Sequence, residues 1–520
     1  MEQFQAFAKK QFNISLIFFA LGMIAGIIYS INLLGYAINS NMLMPSNIRS
    51  IHISLMLYGF IPLMLSYLPF FIISKEQGIS SSGLRYLQNY TYIWYIFLIY
   101  MVIALLFGNT RGLAFYDFPY ELNFILAFAG LFYIIALFKF VSLYKVFPLW
   151  IKISLFIVII APFLLLILMN PTIGQVEATI SGPHGDNTLG MSFAIIPLYY
   201  LVIKYLNQDE FKARWHIFWI IPFIFYALSV VYKSFIAELT YNQEWFLQYL
   251  TLFYVPLLYR WYQDSKIKKE AKLLLLISIM AFLFVDIEGN ILFIPEFRWV
   301  FHRNDLVVGH AHIAMGVSIL FLVLPLYANF IKPLQNKLFA RTYLIGMCAM
   351  VLMLSFNGFV ETGMLNLNSE YLWTLRTLFG AVILYSLSHF IHIKLDLSRP
   401  LKRYHLFGML SDGLTGISLF LLADFLYPIL NFKFGSTYEY VVFGFVFTTG
   451  LIHYFGYKYT QYEYILALIT MQVRVLISAI FFALYASKTL GYEAFAIAFY
   501  DLTYALIFLI LFQKMKEESK

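Results

Sequence analysis

The chain has 520 residues, of which 62% are hydrophobic and 12% are charged. A composition this apolar excludes a water-soluble fold. The net charge of +8 is spread over short connectors and forms no dense patch, so the sequence does not indicate a nucleic-acid-binding protein.

Apolar runs recur from one end of the sequence to the other, and there are about sixteen of them. Each is about 20 residues long, which is the length that crosses the hydrocarbon core as a helix. The first begins near Phe12 and is expected to be a retained helix, because it is too long for a signal peptide and lacks a small-residue cleavage site. The sequence therefore predicts an all-α, polytopic transmembrane helix bundle surrounded by membrane lipid.

Lysine and arginine fall in every second connector, from Lys9 and Lys10 to Lys514 and Lys516. This alternation predicts a multi-pass protein of the bacterial inner membrane with both termini in the cytoplasm. Pro400, within a polar stretch at 397–405, separates about twelve predicted helices in residues 1–396 from about four in residues 397–520. Cys348 is the single cysteine, so no C-x-x-C-H site exists for a covalently attached haem, and any such haem must belong to a partner.

Three histidines form a candidate metal-binding set. His310 and His312 lie in GHAHIAMG at the outer start of a long apolar helix. Two residues apart on a helix, they point roughly 200° apart and cannot bind one metal together, but each can hold a metal on its own side. His52 begins the second apolar run at a similar depth, which allows a bis-histidine site with His312. His310 would then hold a second centre with an open position, and imidazole on iron suits haem.

Longer motifs around these histidines resemble a known family. Glu288-Gly289, His302, Asp305 and the segment Gly309 to His312 are similar, spacing for spacing, to helix ten of the cbb-type cytochrome oxidase catalytic subunit. The second helix agrees, with Arg49 three residues before His52 and then Tyr58-Gly59-Phe60. The loop with Gly112, Phe115, Asp117 and Pro119 resembles one shared with nitric oxide reductases, and Arg376 with Gly380 resembles the entry to helix twelve. The resemblance is to subunit I of the haem-copper oxidase superfamily and covers roughly residues 13–396.

The resemblance implies a twelve-helix haem-copper oxidase core in residues 1–396, followed by about four extra C-terminal helices whose role it does not indicate. It implies that His52 and His312 hold a low-spin haem b and that His310 holds a high-spin haem. Glu288 would hydrogen-bond near His310 or carry protons, and Asp117 would help to hold a calcium ion beside the haem propionates. The outer-end candidates for propionate contacts are Arg49, Arg298, His302 and Asp305.

The sequence departs from the family where a copper ion would bind. The family's helix-six histidine is replaced within Gly185-Asp186-Asn187-Thr188-Leu189-Gly190, and its helix-seven histidine pair is replaced by Tyr232-Lys233. A copper centre is therefore not expected. Two alternatives stay open. Asp186 and Tyr232, together with Glu238 or His184, could bind an oxygen-preferring metal such as non-haem iron. Alternatively, Asp186 and Lys233 form a buried ion pair.

Tyr226 matches the family tyrosine that cross-links to a copper histidine. Without that histidine it can act only as a hydrogen-bond or proton donor. The favoured function is a haem-copper superfamily oxidoreductase of the respiratory chain that reduces nitric oxide to nitrous oxide. A terminal oxidase that reduces oxygen to water is the runner-up, and a non-catalytic haem protein that transfers electrons is a third hypothesis. The expected electron donor is a cytochrome c-type subunit or quinol.

Overall fold

A computed structural model describes residues 2–36, 40–111, 116–168, 185–209, 211–212, 214–301, 304–390, 395–429 and 437–518. These residues are helical or lie in turns and connectors, and none of them forms a strand. The predicted all-α fold class is confirmed. Ten of the described helices are long and apolar enough to cross a membrane, so the chain is a multi-pass membrane protein.

The chain divides into two compact units. The first comprises Met1–Ala37 and Pro45–Ile391. Its described residues form twelve long helices: α1 Glu2–Leu33, α2 Pro45–Gln77, α3 Ser81–Leu106, α4 Leu122–Val141, α5 Leu149–Leu168, α6 Gly185–Leu206, α7 Ile217–Phe235, α8 241–264, α9 Lys269–Leu292, α10 Asp305–Ala328, α11 Pro333–Glu361 and α12 Ser369–Ser386.

Aromatic side chains fill much of the interior of the first unit. Tyr327 of α10 is fully buried, donates a hydrogen bond to the carbonyl of Met64 at 2.9 Å and stacks on Phe12 with ring centroids 5.1 Å apart. Its hydroxyl therefore has an acceptor although it lies away from water. These contacts join α1, α2 and α10, the helices that frame the candidate site.

Two of these helices contain π-helical turns. Leu55–Phe60 in α2 and His312–Ile319 in α10 depart from regular α geometry. A π-helical turn adds residues to the helical repeat, rotates the side chains that follow it and is common at functional sites. The first turn begins shortly after His52 and the second begins at His312, so both lie beside candidate haem ligands.

The second unit comprises Ile38–Met44 and His392–Lys520. Its four long helices are α13 Pro400–Ile429, α14 Glu439–Lys458, α15 Thr460–Ala486 and α16 Tyr492–Glu518. The α13 and α14 backbones approach closely, because a Cβ added at Gly450 would lie 2.5 Å from the amide nitrogen of Gly413. Gly416 makes a similar approach to Phe447. Small residues at such contacts allow membrane helices to pack against each other.

Candidate functional site

His52 of α2 and His312 of α10 face each other inside the first unit. Their ring centroids are 6.1 Å apart, and their ring planes are within 22° of parallel. Two imidazoles that share one metal ion through bonds of about 2 Å have ring centres roughly 6 Å apart. The structure therefore brings together the two histidines that the sequence pairs.

The Nδ1 atoms of both rings contact backbone carbonyls. His52 Nδ1 lies 2.8 Å from the carbonyl oxygen of Gly22, and His312 Nδ1 lies 2.7 Å from that of Val308. A neutral imidazole that donates through Nδ1 keeps a lone pair on Nε2, which is the nitrogen then able to bind a metal.

Gly26 provides the space for the His52 ring. A Cβ at this position would lie 2.7 Å from His52 Nδ1 and 2.8 Å from Cε1, closer than real Cβ contacts come. Any other residue at position 26 would push the imidazole away from its present position.

His310 contacts a neighbouring helix, whereas the Nδ1 contact of His312 is within its own helix. Its Nδ1 lies 3.1 Å from Oε2 of Glu288 on α9. The side chains are 25% and 20% exposed, so neither is fully desolvated. A carboxylate on the second nitrogen of a metal-binding histidine fixes the ring orientation and makes the other nitrogen more basic.

A cavity of about 330 Å³ lies next to Glu288. Its walls are almost entirely apolar, and they come from α9, the start of α10, α11 and the segment between α9 and α10: Phe284, Ile287, Ile291, Leu292, Phe297, Phe301, Leu306 and Phe359. Glu288 is the one ionisable residue in this lining.

Asp305 begins α10 and is held by several donors. Its Oδ2 accepts hydrogen bonds from Asn357 at 2.8 Å and from the Trp373 indole at 2.9 Å, and Arg376 Nη1 lies 3.5 Å away. The Arg376 guanidinium also donates to the Ser30 hydroxyl from Nε at 3.2 Å and from Nη2 at 3.1 Å. This network ties α1, α10, α11 and α12 together near His312.

The other outer-end candidates are Arg298, Arg49 and His302. Arg298 is buried, bonds to Glu244 at 3.2 Å and lies over the ring of Tyr241. Arg49 lies exposed on α2, and His302 is outside the described residues.

The candidates for the second metal are not brought into one described cluster. The Asp186 side chain and the whole of His184 are outside the described residues, although the backbone of Asp186 opens α6. Tyr232 and Lys233 are half-buried at the end of α7, and Glu238 is exposed. No group of three or more metal-binding side chains occurs among the residues that the structure describes.

Tyr226 and Asp117 have defined surroundings. Tyr226 packs on a small cluster formed by Leu189, Leu247 and Leu250. Asp117 is buried, and its Oδ1 accepts a hydrogen bond from the Thr110 hydroxyl at 3.2 Å.

Asp286 is a buried carboxylate that the sequence analysis did not select. It lies two residues before Glu288 but faces α6, where the Ser192 hydroxyl donates to its Oδ1 at 3.2 Å. Its Oδ2 is buried without a hydrogen-bond partner. The available signal was its position within an apolar run, because a carboxylate is costly inside a membrane and is by default a candidate for a functional site.

Comparison with known proteins gives a match in structure but none in sequence. No family model matches the sequence, and no curated protein matches it. A solved heme-copper terminal oxidase, determined as a dimer by cryo-EM, is similar in structure with a TM-score of 0.50 and 11% sequence identity. The match covers 74% of this chain and 82% of that chain. At this identity the likeness shows a shared fold, and the chain therefore has the fold of a haem-copper terminal oxidase.

Proposed function

We propose that the chain is a respiratory membrane reductase that uses a low-spin haem and a high-spin haem to reduce a small diatomic oxidant. The observation that carries this proposal is the near-parallel pair of His52 and His312. Both rings use Nδ1 for a backbone carbonyl, so both can offer Nε2 to one iron. The oxidase-like fold adds support for an oxidoreductase.

The residues present fit two haems. His52 and His312 would hold the low-spin haem from opposite sides, and His310, turned toward α9, would hold the high-spin one. When bound, the haems supply one-electron transfer and an open iron position for a diatomic gas. Arg376, buried beside Asp305 near His312, is a candidate cation for the propionates, together with Arg49 and His302.

The protein's own side chains would orient the His310 ring and supply protons to the reacting gas. Glu288 accepts a hydrogen bond from His310 and so fixes the tautomer and the direction of that ring. As a carboxyl group beside an apolar cavity, it can also hold a proton and release it toward the reacting gas. Tyr226 is a second candidate proton donor, and Asp117 a candidate calcium ligand.

Nitric oxide is the favoured substrate. Its reduction to nitrous oxide needs two electrons and two protons, whereas oxygen needs four electrons, part of which the copper and tyrosine of oxidases supply. The sequence lacks all three copper-binding imidazoles, and Asp186, Tyr232 and Lys233 stand in their place. Non-haem iron bound by Asp186 and Tyr232 could supply part of this smaller number of electrons. With an Asp186–Lys233 ion pair in its place, both electrons would have to come from the two haems. The match of Tyr226 to the oxidase tyrosine keeps oxygen reduction as the second candidate.

The test is turnover of the purified protein after it has been reduced anaerobically. The protein is reduced with a cytochrome c-type donor or a quinol and supplied with nitric oxide or oxygen in parallel, while iron, copper and calcium are determined on the same sample. We expect faster consumption of nitric oxide, with nitrous oxide as the product. Faster oxygen consumption would support the oxidase alternative, and haem reduction without consumption of either gas would leave only electron transfer.

A further inference from the structure

The second unit contains a buried charged cluster that the proposed haem chemistry does not use. Its centre is Arg474 of α15, whose Nη1 donates to Asp501 Oδ1 at 2.6 Å and whose Nη2 donates to Asp412 Oδ2 at 2.5 Å. The three side chains are 4%, 13% and 10% exposed. Arg474 lies near the middle of α15, so the cluster is at the depth where an unbalanced charge costs most.

The cluster contains two carboxylates but one cation, so one negative charge is not balanced. Arg474 supplies one positive charge against Asp412 and Asp501. The remaining groups that face it add no fixed cation: Tyr500 and Tyr504 present their rings to the guanidinium, with centroids 5.6 Å and 4.0 Å from its carbon. An unmatched negative charge in an apolar interior favours the uptake of one cation.

A pair of fully buried histidines lies beside the surplus carboxylate. His405 of α13 and His453 of α14 have their Nδ1 atoms 3.0 Å apart, and His405 Nε2 lies 2.7 Å from the carbonyl oxygen of Glu463. His405 must donate from Nε2 to that carbonyl, so its Nδ1 is the acceptor and His453 Nδ1 is the donor. The tautomers of both rings follow from this chain of bonds.

The fixed tautomers leave Nε2 of His453 with a free lone pair. This atom is buried without a hydrogen-bond partner and lies 3.8 Å from Asp412 Oδ2. A buried acceptor that faces a carboxylate oxygen is unfavourable unless a proton lies between them. The free lone pair of His453 therefore faces the surplus negative charge of the cluster.

We propose that the four-helix unit holds a site for one proton on Nε2 of His453, which faces Oδ2 of Asp412. The bound proton neutralises the cluster and gives the lone pair of His453 a partner. Sodium is a poorer fit, because hard cations prefer oxygen ligands and one side of this site is an imidazole nitrogen.

Hydrogen bonds connect the site to one end of the unit. Glu463 lies at the start of α15, eleven residues before Arg474, which corresponds to a depth of roughly 16 Å. The chain of bonds from Glu463 through His405 to His453 spans part of that depth. Glu463 is itself paired with Arg399, and Lys402 is paired with Asp396 at 2.5 Å, so the other carboxylates at this end are already balanced. The hydrogen bonds through His405 therefore link the buried site to the backbone at the start of α15.

The geometry also fixes what the glycines of α13 and α14 do. A Cβ at Gly408 would lie 2.5 Å from His453 Cδ2 and Nε2, and Gly456 approaches the His405 ring in the same way. Each histidine therefore packs into a gap that a glycine leaves on the facing helix. This holds both rings at the distance that the hydrogen bond between them needs.

The test is infrared spectroscopy of the full chain in nanodiscs, with ring-labelled histidine and a pH titration between about pH 5 and pH 8, where histidine titrates. We expect His453→Asn to lose one imidazolium signal and to take up one proton fewer than the unmodified protein. Asp412→Asn removes the surplus charge, leaves Arg474 balanced by Asp501 and should lose the same signal. Asp424→Asn, on the same helix but outside the cluster, is the matched control and should titrate as the unmodified protein does.

Two results would overturn the proposal. One is proton uptake by both His453→Asn and Asp412→Asn equal to that of the Asp424→Asn control. The other is a melting temperature that rises with sodium at fixed pH in the unmodified protein but not in Asp412→Asn, which would mean that the site takes a metal cation. The readouts do not involve haem, so failure here leaves the proposed reductase function untouched.

Discussion

The imidazole rings of His52 and His312 lie 6.1 Å apart at their centroids, on two different helices and nearly parallel. The backbone carbonyls of Gly22 and Val308 contact the two rings at Nδ1 and so orient both imidazoles.

If His52 and His312 hold one haem iron, replacing either of them should remove one of its two protein ligands. We expect His52→Ala and His312→Ala each to abolish the low-spin, bis-histidine spectrum of the reduced protein and to retain a high-spin signal. His310→Ala should have the reverse effect. His389→Ala is the control, because this imidazole contacts Thr342 and lies three residues after the end of α12. Identical spectra in all four variants would contradict the ligand assignment.

Gly26 offers a subtler test, because the histidine itself is retained. Gly26→Ala should displace the His52 ring, since the new Cβ would lie 2.7 Å from its Nδ1. We expect weakened low-spin absorption and a haem that is lost more readily on dilution. Gly380→Ala is the matched control, because its nearest neighbour, Ile27, would be 3.7 Å away. An unchanged low-spin spectrum in Gly26→Ala would mean that His52 does not need this position.

Glu288→Gln preserves the shape of the carboxylate but removes its charge and its exchangeable proton. Turnover should fall about 10- to 100-fold, as is typical when the partner of a metal-binding histidine is changed. Both haems should remain bound and reducible by dithionite, which separates this loss from misfolding. If the variant turns over at the unmodified rate, protons arrive by another route and Glu288 only orients His310.

The Asp305–Arg376 pair should be important for stability. Arg376→Met leaves a carboxylate with little access to water, and the loss of one partner from a buried pair costs about 3 to 5 kcal/mol. Asp305→Asn combined with Arg376→Met should recover most of that loss in thermal unfolding. Lys266→Met is the control, because Lys266 and Asp209 are 71% and 63% exposed and such surface pairs contribute at most about 1 kcal/mol. Equal destabilisation by Arg376→Met and Lys266→Met would contradict this account.

The fold was largely predictable from the sequence. Run length and hydropathy predicted about sixteen helices, and the described residues form sixteen long ones, twelve before position 390 and four after position 400. The length of an apolar run shows only whether a helix can cross the membrane. It does not show the helical geometry, so the π-helical turn at His312 could not be predicted from it. The division of roles between residues 1–396 and 397–520 stays a prediction.

The candidate site was predictable only where the spacing of two residues along a helix determines the directions of their side chains. The two-residue spacing of His310 and His312 indicated opposite faces, but nothing in the sequence identified Gly22 or Val308 as the partners of the rings. Arg474 and Asp501 are recognisable in the sequence as charges within apolar runs, but the contacts of Arg474 with Asp501 and Asp412 depend on which helices are neighbours. Which helices are neighbours depends on the packing of all the helices together. The sequence of one apolar run does not contain that information. The roles of all the candidate site residues stay predictions, and the side chains of Asp186, His184 and His302 lie outside the described residues.

The most direct measurement of the central claim is the haem content and spin state of the purified full chain. Haem and iron are quantified per polypeptide, and spectra are recorded for the oxidised and dithionite-reduced protein. The account predicts two haems per chain, one low-spin with two histidine ligands and one high-spin that binds nitric oxide. A chain purified from haem-replete cells with no haem, or with haem lacking any low-spin bis-histidine component, would contradict it.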